Sequence, residues 1–414
     1  MKILFVHQNF PGQYRYLAPA LQAVGHTCLA VGGPGASGLR GVPMRRYRPE
    51  SVATRPGHPW AEDLQTKCTR AEAVARLVHQ LVAEGFQPEL VIGHPGWGEL
   101  LAIKDVLPGV PVLHHLEFVY QVAGADVGFD PGVMPAAAGF EAIAQRIRLR
   151  LRRAPQLLAL HDLDRAWAPT HWQAATAPSL FADRITVIHE GIDTDAIRPN
   201  AQAEVHLDRA GLTFRPGDEL VTFVARNLEP YRGFHVLMRS LPELMRQRPH
   251  CHVLIVGGDG ISYGAPPPGG GTWRALLLRE LGGQLDHARL HFVGRVPLPV
   301  LHQLFQVTAC HVYLTYPFVL GWSVLEAMSC GAVVVASATA PVQELISDGV
   351  NGLLVDFFDS HALACRIAEV LSNPDAFASV ASEARQTIIR SYDLQTVCLP
   401  RQLQMVEQMG GVQS

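Results

Sequence analysis

Apolar residues in this chain fall into two alternating patterns, short continuous runs and longer stretches spaced at three and four. Residues 3–7 and 28–31 are short β-rich runs, and between them residues 14–23 predict a helix stopped by Gly25. Across residues 70–84 the apolar positions Val74, Leu77, Val78, Leu81 and Val82 share one helical face. Gly85 closes that helix, and Pro88 followed by Leu90, Val91 and Ile92 opens another strand. Residues 110–114, 157–160, 166–169 and 185–188 are further strand candidates. Alternation of this kind predicts a mostly parallel sheet covered by helices on both faces.

The second half repeats the pattern, with strands at residues 220–225, 253–257, 290–293, 310–315, 333–336 and 352–355. Helical segments at 234–246, 299–308, 321–328 and 361–371 fall between or after them, which is a second doubly wound domain. A polar, proline-containing stretch, residues 191–202, reads as the linker. The expected organisation is an N-terminal domain over 1–190, the linker 191–202, a second domain over 203–390, and a C-terminal helix within 391–414 returning to the first. Two such domains would set their strand carboxyl ends, and with them any ligand, face to face across a cleft. Residues 264–271, rich in glycine and proline, read as a surface loop.

Composition narrows the function classes. The 414 residues exceed what one core usually holds, and 48% hydrophobic with 17% charged residues is globular. A net charge of −3 gives no basic field for nucleic acid, so anion binding has to be local. The seven cysteines are scattered without metal spacing, as expected of reduced thiols in a cytoplasmic protein. No signal peptide and no apolar run long enough to span a bilayer is evident.

Four places carry candidate chemistry. Residues 316–331 hold one acid, Glu326, in an otherwise uncharged loop and helix, with Ser323 one turn earlier and Gly321 at the helix start. A carboxylate there needs either a structural partner or a ligand such as a ribose diol. Arg226 and Arg232 flank the end of a strand and the start of a helix opened by Gly233, which suits a diphosphate as well as it suits solvated surface charge. The turn His7 to Gln13 contains Gly12 and permits close backbone approach to phosphate, although it also reads as a plain strand-to-helix loop. His114 and His115 end a strand with Glu117 close behind, and successive strand residues face opposite ways, so at most one reaches a ligand. No metal-ligand spacing is found: His287 and His291 are four apart, but His291 lies in a strand. Arg146, Arg148, Arg150, Arg152 and Arg153 form a run without an acid, either a solvated basic helix or a local contact for anionic lipid or an acceptor phosphate.

Taken in order, these landmarks resemble glycosyltransferase family 4, the retaining group 1 glycosyltransferases. The resemblance covers most of the chain and is strongest over residues 188–371. His189, Glu190, Gly191, Ile192, Asp193 and Thr194 with Arg198 and Pro199 look like its interdomain segment. Residues 225–233 look like its cationic donor motif, 256–260 like its glycine turn, and Glu326, Ala327, Met328 and Gly331 like the end of its twin-glutamate motif. Pro341, Glu344, Asp348, Gly349, Asn351 and Gly352 resemble the stretch that follows.

The resemblance implies the α/β GT-B fold, two Rossmann-like domains facing each other across a cleft. It also implies metal-independent transfer of a sugar, with retention, from a UDP- or GDP-sugar to a glycan, lipid-linked or small-molecule acceptor. On that basis Glu326 holds the ribose diol and Arg226 and Arg232 the diphosphate. Gly12 and Gln13, Gly258, Phe318, Leu320, Gly321, Trp322 and Ser323 line the donor, and His114 or His115 approaches its sugar. No cofactor beyond the donor substrate is implied, and the protein would work in the cytoplasm or at the inner membrane face, through residues 146–153. Two departures stand out: Phe318 occupies the place of the first glutamate, and Arg232 that of a lysine. The first keeps open a catalytically silent binder of nucleotide sugars or of a partner, and an epimerase is a further alternative.

Overall fold

The computed structural model describes residues 1–50, 57–135, 137–207 and 211–411. The chain divides into two compact units, Met1–Gly191 with Leu394–Ser414, and Ile192–Asp393.

The first unit is built on a seven-stranded parallel sheet. Its strands are β1 (Lys2–His7), β2 (Thr27–Gly32), β3 (Met44–Arg46), β4 (Leu90–Gly93), β5 (Val112–His115), β6 (Arg165–Ala168) and β7 (Ile185–Val187), in the order β3-β2-β1-β4-β5-β6-β7. Strand β1 shows why the apolar runs are continuous. Ile3 and Phe5 point into one core with Phe10, Tyr14, Leu17 and Leu21, whereas Leu4 and Val6 point into another with Val74, Val78 and Leu81. A strand buried on both faces loses the alternation of a half-exposed one. The helices are α1 (Leu17–Ala23), α2 (Glu62–Ala83), α3 (Ile103–Val106), α4 (Gly139–His161) and α5 (His171–Ala174).

In the second unit a hairpin of β8 (Val205–Leu207) and β9 (Leu212–Phe214) precedes a six-stranded parallel sheet. That sheet comprises β10 (Leu220–Asn227), β11 (His252–Gly258), β12 (Leu290–Gly294), β13 (Cys310–Tyr313), β14 (Val333–Ser337) and β15 (Leu353–Val355), ordered β12-β11-β10-β13-β14-β15. Around it lie α6 (Phe234–Gln247), α7 (Trp273–Leu281), α8 (Leu298–Val307), α9 (Trp322–Ser329), α10 (Ala340–Gln343), α11 (Ser360–Ser372) and α12 (Ala378–Tyr392). Helix α13 (Leu399–Gly410) belongs to the first unit, where Met405, Val406 and Met409 pack with Ile3 and Phe5.

Both sheets reverse strand order beside their first long strand, between β1 and β4 and between β10 and β13. Loops leaving the carboxyl ends at such a point diverge and open a crevice, so the residues there are the ones to inspect.

One strand expectation is overturned. Residues 157–160 form the last turn of the 23-residue α4, with Ala159 and Leu160 buried and Leu158 60% exposed. A four-residue apolar run has no period of its own, and here it is the inner edge of an amphipathic helix. Strand β10 also runs on to Asn227, so Arg226 lies within the strand rather than past its end.

Candidate functional site

In the second unit the segments after β10 and β13 converge. Helix α9 starts at Trp322 with Gly321 as its extended N-cap, and the Gly321 N–H donates to the Tyr313 hydroxyl at 2.7 Å. Glu326 sits on this helix, 3% exposed. Among the described residues neither a backbone N–H nor an arginine satisfies its carboxylate; the one polar neighbour is His302, whose Nε2 lies 3.8 Å from Oε1. His302 Nε2 is itself buried without a hydrogen bond. A buried carboxylate left without a hydrogen bond costs stability. Ser323, half-buried, lies one turn earlier on the same face.

The two arginines differ in role. Arg226 is exposed and has no hydrogen bond or ion pair among the described residues, leaving its five donors for a ligand. Arg232 is half-buried, and its Nη1 donates to Thr315 Oγ1 at 2.9 Å, the Val319 carbonyl at 3.0 Å and the Tyr313 hydroxyl at 3.3 Å. A planar fork in place of an ammonium thus ties down the loop between β13 and α9. Gly233 follows with φ +67°, and a Cβ there would lie 2.2 Å from Leu314, so the start of α6 depends on glycine.

Phe318 is 5% exposed and packs in an aromatic cluster, its ring 4.9 Å from Tyr263 and 5.6 Å from Tyr231, with the Arg232 guanidinium 5.9 Å above it. Leu320 is buried, whereas Gly321 and Trp322 are half-exposed. Gly258 lies where Asn227 passes: Asn227 Oδ1 accepts from Arg295 at 3.1 Å, and a Cβ on Gly258 would come within 2.8 Å of it. Glu229, fully buried, had escaped the sequence reading. It accepts from the backbone N–H groups of Ser262, Tyr263 and Gly264 at 3.1, 3.2 and 2.9 Å and so pins the segment leading into the glycine and proline loop. An acid set between Leu228 and Pro230 was the available signal.

The first unit gathers histidines and carboxylates at the carboxyl ends of β1, β4 and β5. The Asn9 N–H donates to His7 Nδ1 at 3.1 Å, so His7 carries its proton on Nε2 and gives it to Gln13 Oε1 at 2.7 Å. Gln13 in turn donates to Glu117 Oε1. The same logic recurs in His94, whose Nδ1 accepts from the Gly96 N–H at 3.0 Å while Nε2 meets Glu117 Oε2 at 3.2 Å. His115 Nδ1 likewise accepts from the Trp167 indole at 2.6 Å, while its Nε2, 3.0 Å from Glu190 Oε1, is buried without a well-formed hydrogen bond. The same logic holds for His189, whose Nδ1 accepts from the Gly191 N–H at 3.0 Å while Nε2 lies 3.3 Å from Glu190 Oε2. Backbone and indole N–H groups only donate, so each of the four rings is fixed as the neutral Nε2–H tautomer.

Electrostatics follow. Burial pushes His7 down to about 3. Burial alone would raise Glu117, but the hydrogen bond it accepts from His94 prevails and holds it at about 2. Glu190 is likewise lowered against its burial by His189 and His115. Gly12, at φ +46°, has no room for a side chain, because a Cβ would fall 2.4 Å from the His7 ring. His115 joins this network and His114 does not. His114 is fully buried with both ring nitrogens unpartnered, and burial pushes it down to about 3.

His115, Glu117 and Glu190 bring ligand-type atoms within 4.8 Å of one another. A metal at His115 would need the Nε2 lone pair, while Nδ1 is already accepting from Trp167. A ring with no proton on either nitrogen would be an imidazolate, so the donor pattern fits a hydrogen-bond network and not an ion. His94 and Trp97, like Glu229, had escaped the sequence reading. The signal was residues 93–99, Gly-His-Pro-Gly-Trp-Gly-Glu, a glycine loop directly after β4 that parallels the one after β1.

A family model described as glycosyl transferase family 4 group matches residues 24–197, and one described as glycosyl transferases group 1 matches residues 206–387. D-inositol 3-phosphate glycosyltransferase of Mycobacterium avium is 30% identical over 295 residues, 70% of this chain and 62% of the relative. The protein of the same description from Thermobispora bispora is 28% identical over 231 residues, 53% of this chain and 51% of that one. The chain therefore aligns with between half and two thirds of these relatives' length. Sucrose-phosphate synthase of Thermosynechococcus elongatus superposes with a TM-score of 0.74 at 18% identity, covering 100% of both chains. Anabaena Alr3699/HepE, solved in complex with UDP, gives 0.66 at 19% identity, covering 99% of this chain and 100% of its own. These similarities show the GT-B fold.

Proposed function

We infer, from a chain that belongs to the group 1 glycosyltransferases of family 4, that the protein transfers a sugar from a nucleotide-sugar donor to a carbohydrate, lipid-linked or small-molecule acceptor. The observation that carries this reading is Glu326, buried, without a hydrogen bond, and one turn after the N-terminus of α9. A ribose diol would supply the two donors that its carboxylate lacks. Arg226, exposed and unpaired among the described residues, and the N-terminal dipole ends of α6 and α9 supply positive potential for a diphosphate. As the glycosidic bond breaks, charge grows on the leaving diphosphate, and fixed donors stabilise it without having to reorganise. The reading needs no metal and no cofactor beyond the donor, proceeds with retention, and takes a UDP- or GDP-sugar. UDP and UDP-glucose are bound in structures of the Anabaena protein.

Helix α4 supports a peripheral membrane contact. Phe140 is 69% exposed, Ile143 43% and Leu158 60%, and Arg146 and Arg150 beside them are exposed and unpaired among the described residues. An apolar stripe edged by arginine suits an anionic leaflet. No described helix is long and apolar enough to cross a membrane, so attachment at the cytoplasmic face would be by surface contact. The test is a panel of UDP- and GDP-sugars screened for thermal stabilisation of the wild type, Glu326→Gln and Arg226→Gln proteins. Stabilisation by one donor, lost in both variants, is expected; stabilisation unchanged in both would refute the assignment.

A further inference from the structure

Trp97 stands on the loop after β4, at the point where the first sheet reverses order. One face of its indole lies on the His94 ring, centroids 3.9 Å apart and 10° from parallel, and its edge meets His7 at 4.8 Å. Among the described residues no other ring or cation packs on the opposite face, the indole N–H has no acceptor, and the side chain is only half-buried. A tryptophan kept for the core finds a partner for its N–H and covers both faces. Beneath it the ring is fixed in place, because His94 is held at both nitrogens by Gly96 and Glu117. One face of the indole is therefore held on a fixed ring, and its N–H is a donor without an acceptor among the described residues. Glu117 adds a half-exposed carboxylate that already orders Gln13 and His94.

The charge of this edge is as informative as its shape. Glu117 is held anionic, and the tautomers of His7 and His94 are fixed neutral. No lysine or arginine pairs with His7, Gln13, His94 or Glu117 among the described residues. The guanidinium bonded to the loop, that of Arg70, donates from Nη1 to the Trp97 carbonyl at 3.2 Å and not to Glu117. A phosphate placed over Trp97 would meet a carboxylate without a counter-charge, whereas a sugar hydroxyl would find an acceptor there.

On the reading that the chain is a glycosyltransferase, we propose that its acceptor is an uncharged sugar whose ring stacks on Trp97, with a hydroxyl donating to Glu117 and a ring or hydroxyl oxygen accepting from the indole. This separates the chain from its curated relatives, which are described as acting on an inositol phosphate. The group bound is a neutral pyranose face, and Trp97 and Glu117 select it.

The test labels the six tryptophans with 5-fluorotryptophan in the full chain and assigns the Trp97 resonance by its loss in Trp97→Phe. The protein, with UDP present, is titrated with the methyl glycosides of glucose, galactose, mannose and N-acetylglucosamine, and with glucose 6-phosphate and inositol 1-phosphate. At least one neutral glycoside should shift the Trp97 resonance saturably while the phosphorylated compounds leave it in place, and Trp97→Ala should weaken that binding about ten-fold, the loss of one ring contact and one donor. Glu117→Gln should weaken the neutral glycoside and narrow the discrimination against phosphate. A silent Trp97 resonance with every neutral glycoside, or tighter binding of a phosphorylated one, overturns the proposal. Donor turnover on the same samples keeps the two readings apart. Turnover with a silent Trp97 overturns the acceptor site alone, and a Trp97 shift without turnover supports that site and overturns the transferase reading.

Discussion

Replacing Glu326 with methionine should make the protein more stable and less able to hold its donor. The side chain is 3% exposed and no hydrogen bond among the described residues reaches its carboxylate, so the folded apo-protein carries a desolvation penalty that no hydrogen bond offsets. That penalty is about 1–3 kcal/mol, and an unbranched apolar side chain of similar volume removes it. For a unit of this size each kcal/mol moves the midpoint by roughly 2–4 °C, so a rise of about 4–8 °C is expected for a gain near 2 kcal/mol. On the donor side, two hydroxyls bonded to a carboxylate are worth about 1.5–3 kcal/mol each, which predicts a loss of roughly two to four orders of magnitude in donor affinity. The assay pairs thermal unfolding of the free protein with calorimetric titration of the nucleotide sugar. A variant that is destabilised, or that binds donor as well as the wild type, would refute the argument that this carboxylate is kept for a ligand.

Gly12→Ala should cost about 1–3 kcal/mol in urea unfolding, since φ is +46° and the new Cβ would strike His7; an unchanged midpoint would contradict the packing around that ring. His7 and His114 both sit at about 3 in the folded protein, below the 6.5 of a free histidine. Between those values the unfolded chain binds protons that the folded one does not, so stability falls as pH drops from about 6.5, by roughly 1.4 kcal/mol per unit for each ring. Glu117, lowered to about 2, adds its loss only below the ordinary carboxylate range. Urea midpoints measured from pH 7.5 to 5 should therefore decline steadily, and a flat profile would count against neutral buried rings. Arg146→Ala with Arg150→Ala should weaken binding to phosphatidylserine vesicles about 30-fold, from about 1 kcal/mol per charge; equal binding by the double variant would dismiss α4 as the contact.

Much of the fold was legible because a parallel strand buried on both faces leaves a continuous apolar run, as in β1, β10 and β14. Shorter or mixed elements were not: β3 and the β8–β9 hairpin are three-residue strands with exposed positions, and residues 157–160 mimic a strand within a helix. Chain order set Arg226, Arg232 and Glu326 at or after the ends of β10 and β13, the strands beside the switch point of one sheet. What sequence could not say is how each is satisfied. Arg232 spends Nη1 on Thr315 and Val319, while the Arg226 and Glu326 side chains have no hydrogen bond among the described residues, and only coordinates distinguish the two cases. Phe318 likewise read as an anomaly beside the donor, whereas its ring fills a cluster with Tyr231 and Tyr263. The histidine network was hidden for another reason. Its members are scattered from His7 to Glu190, and no local spacing announces that strand ends bring them within hydrogen-bond reach.

The central claim is that the protein breaks the bond between a sugar and a nucleoside diphosphate and passes the sugar on. The direct measurement incubates the purified chain with each UDP- and GDP-sugar and a neutral glycoside acceptor, in chelator, and follows nucleoside diphosphate by chromatography and the new anomeric proton by NMR. The account predicts diphosphate released in step with a glycoside that keeps the donor's anomeric configuration, and none from Glu326→Gln. Release from no donor, or a product of inverted configuration, would contradict it.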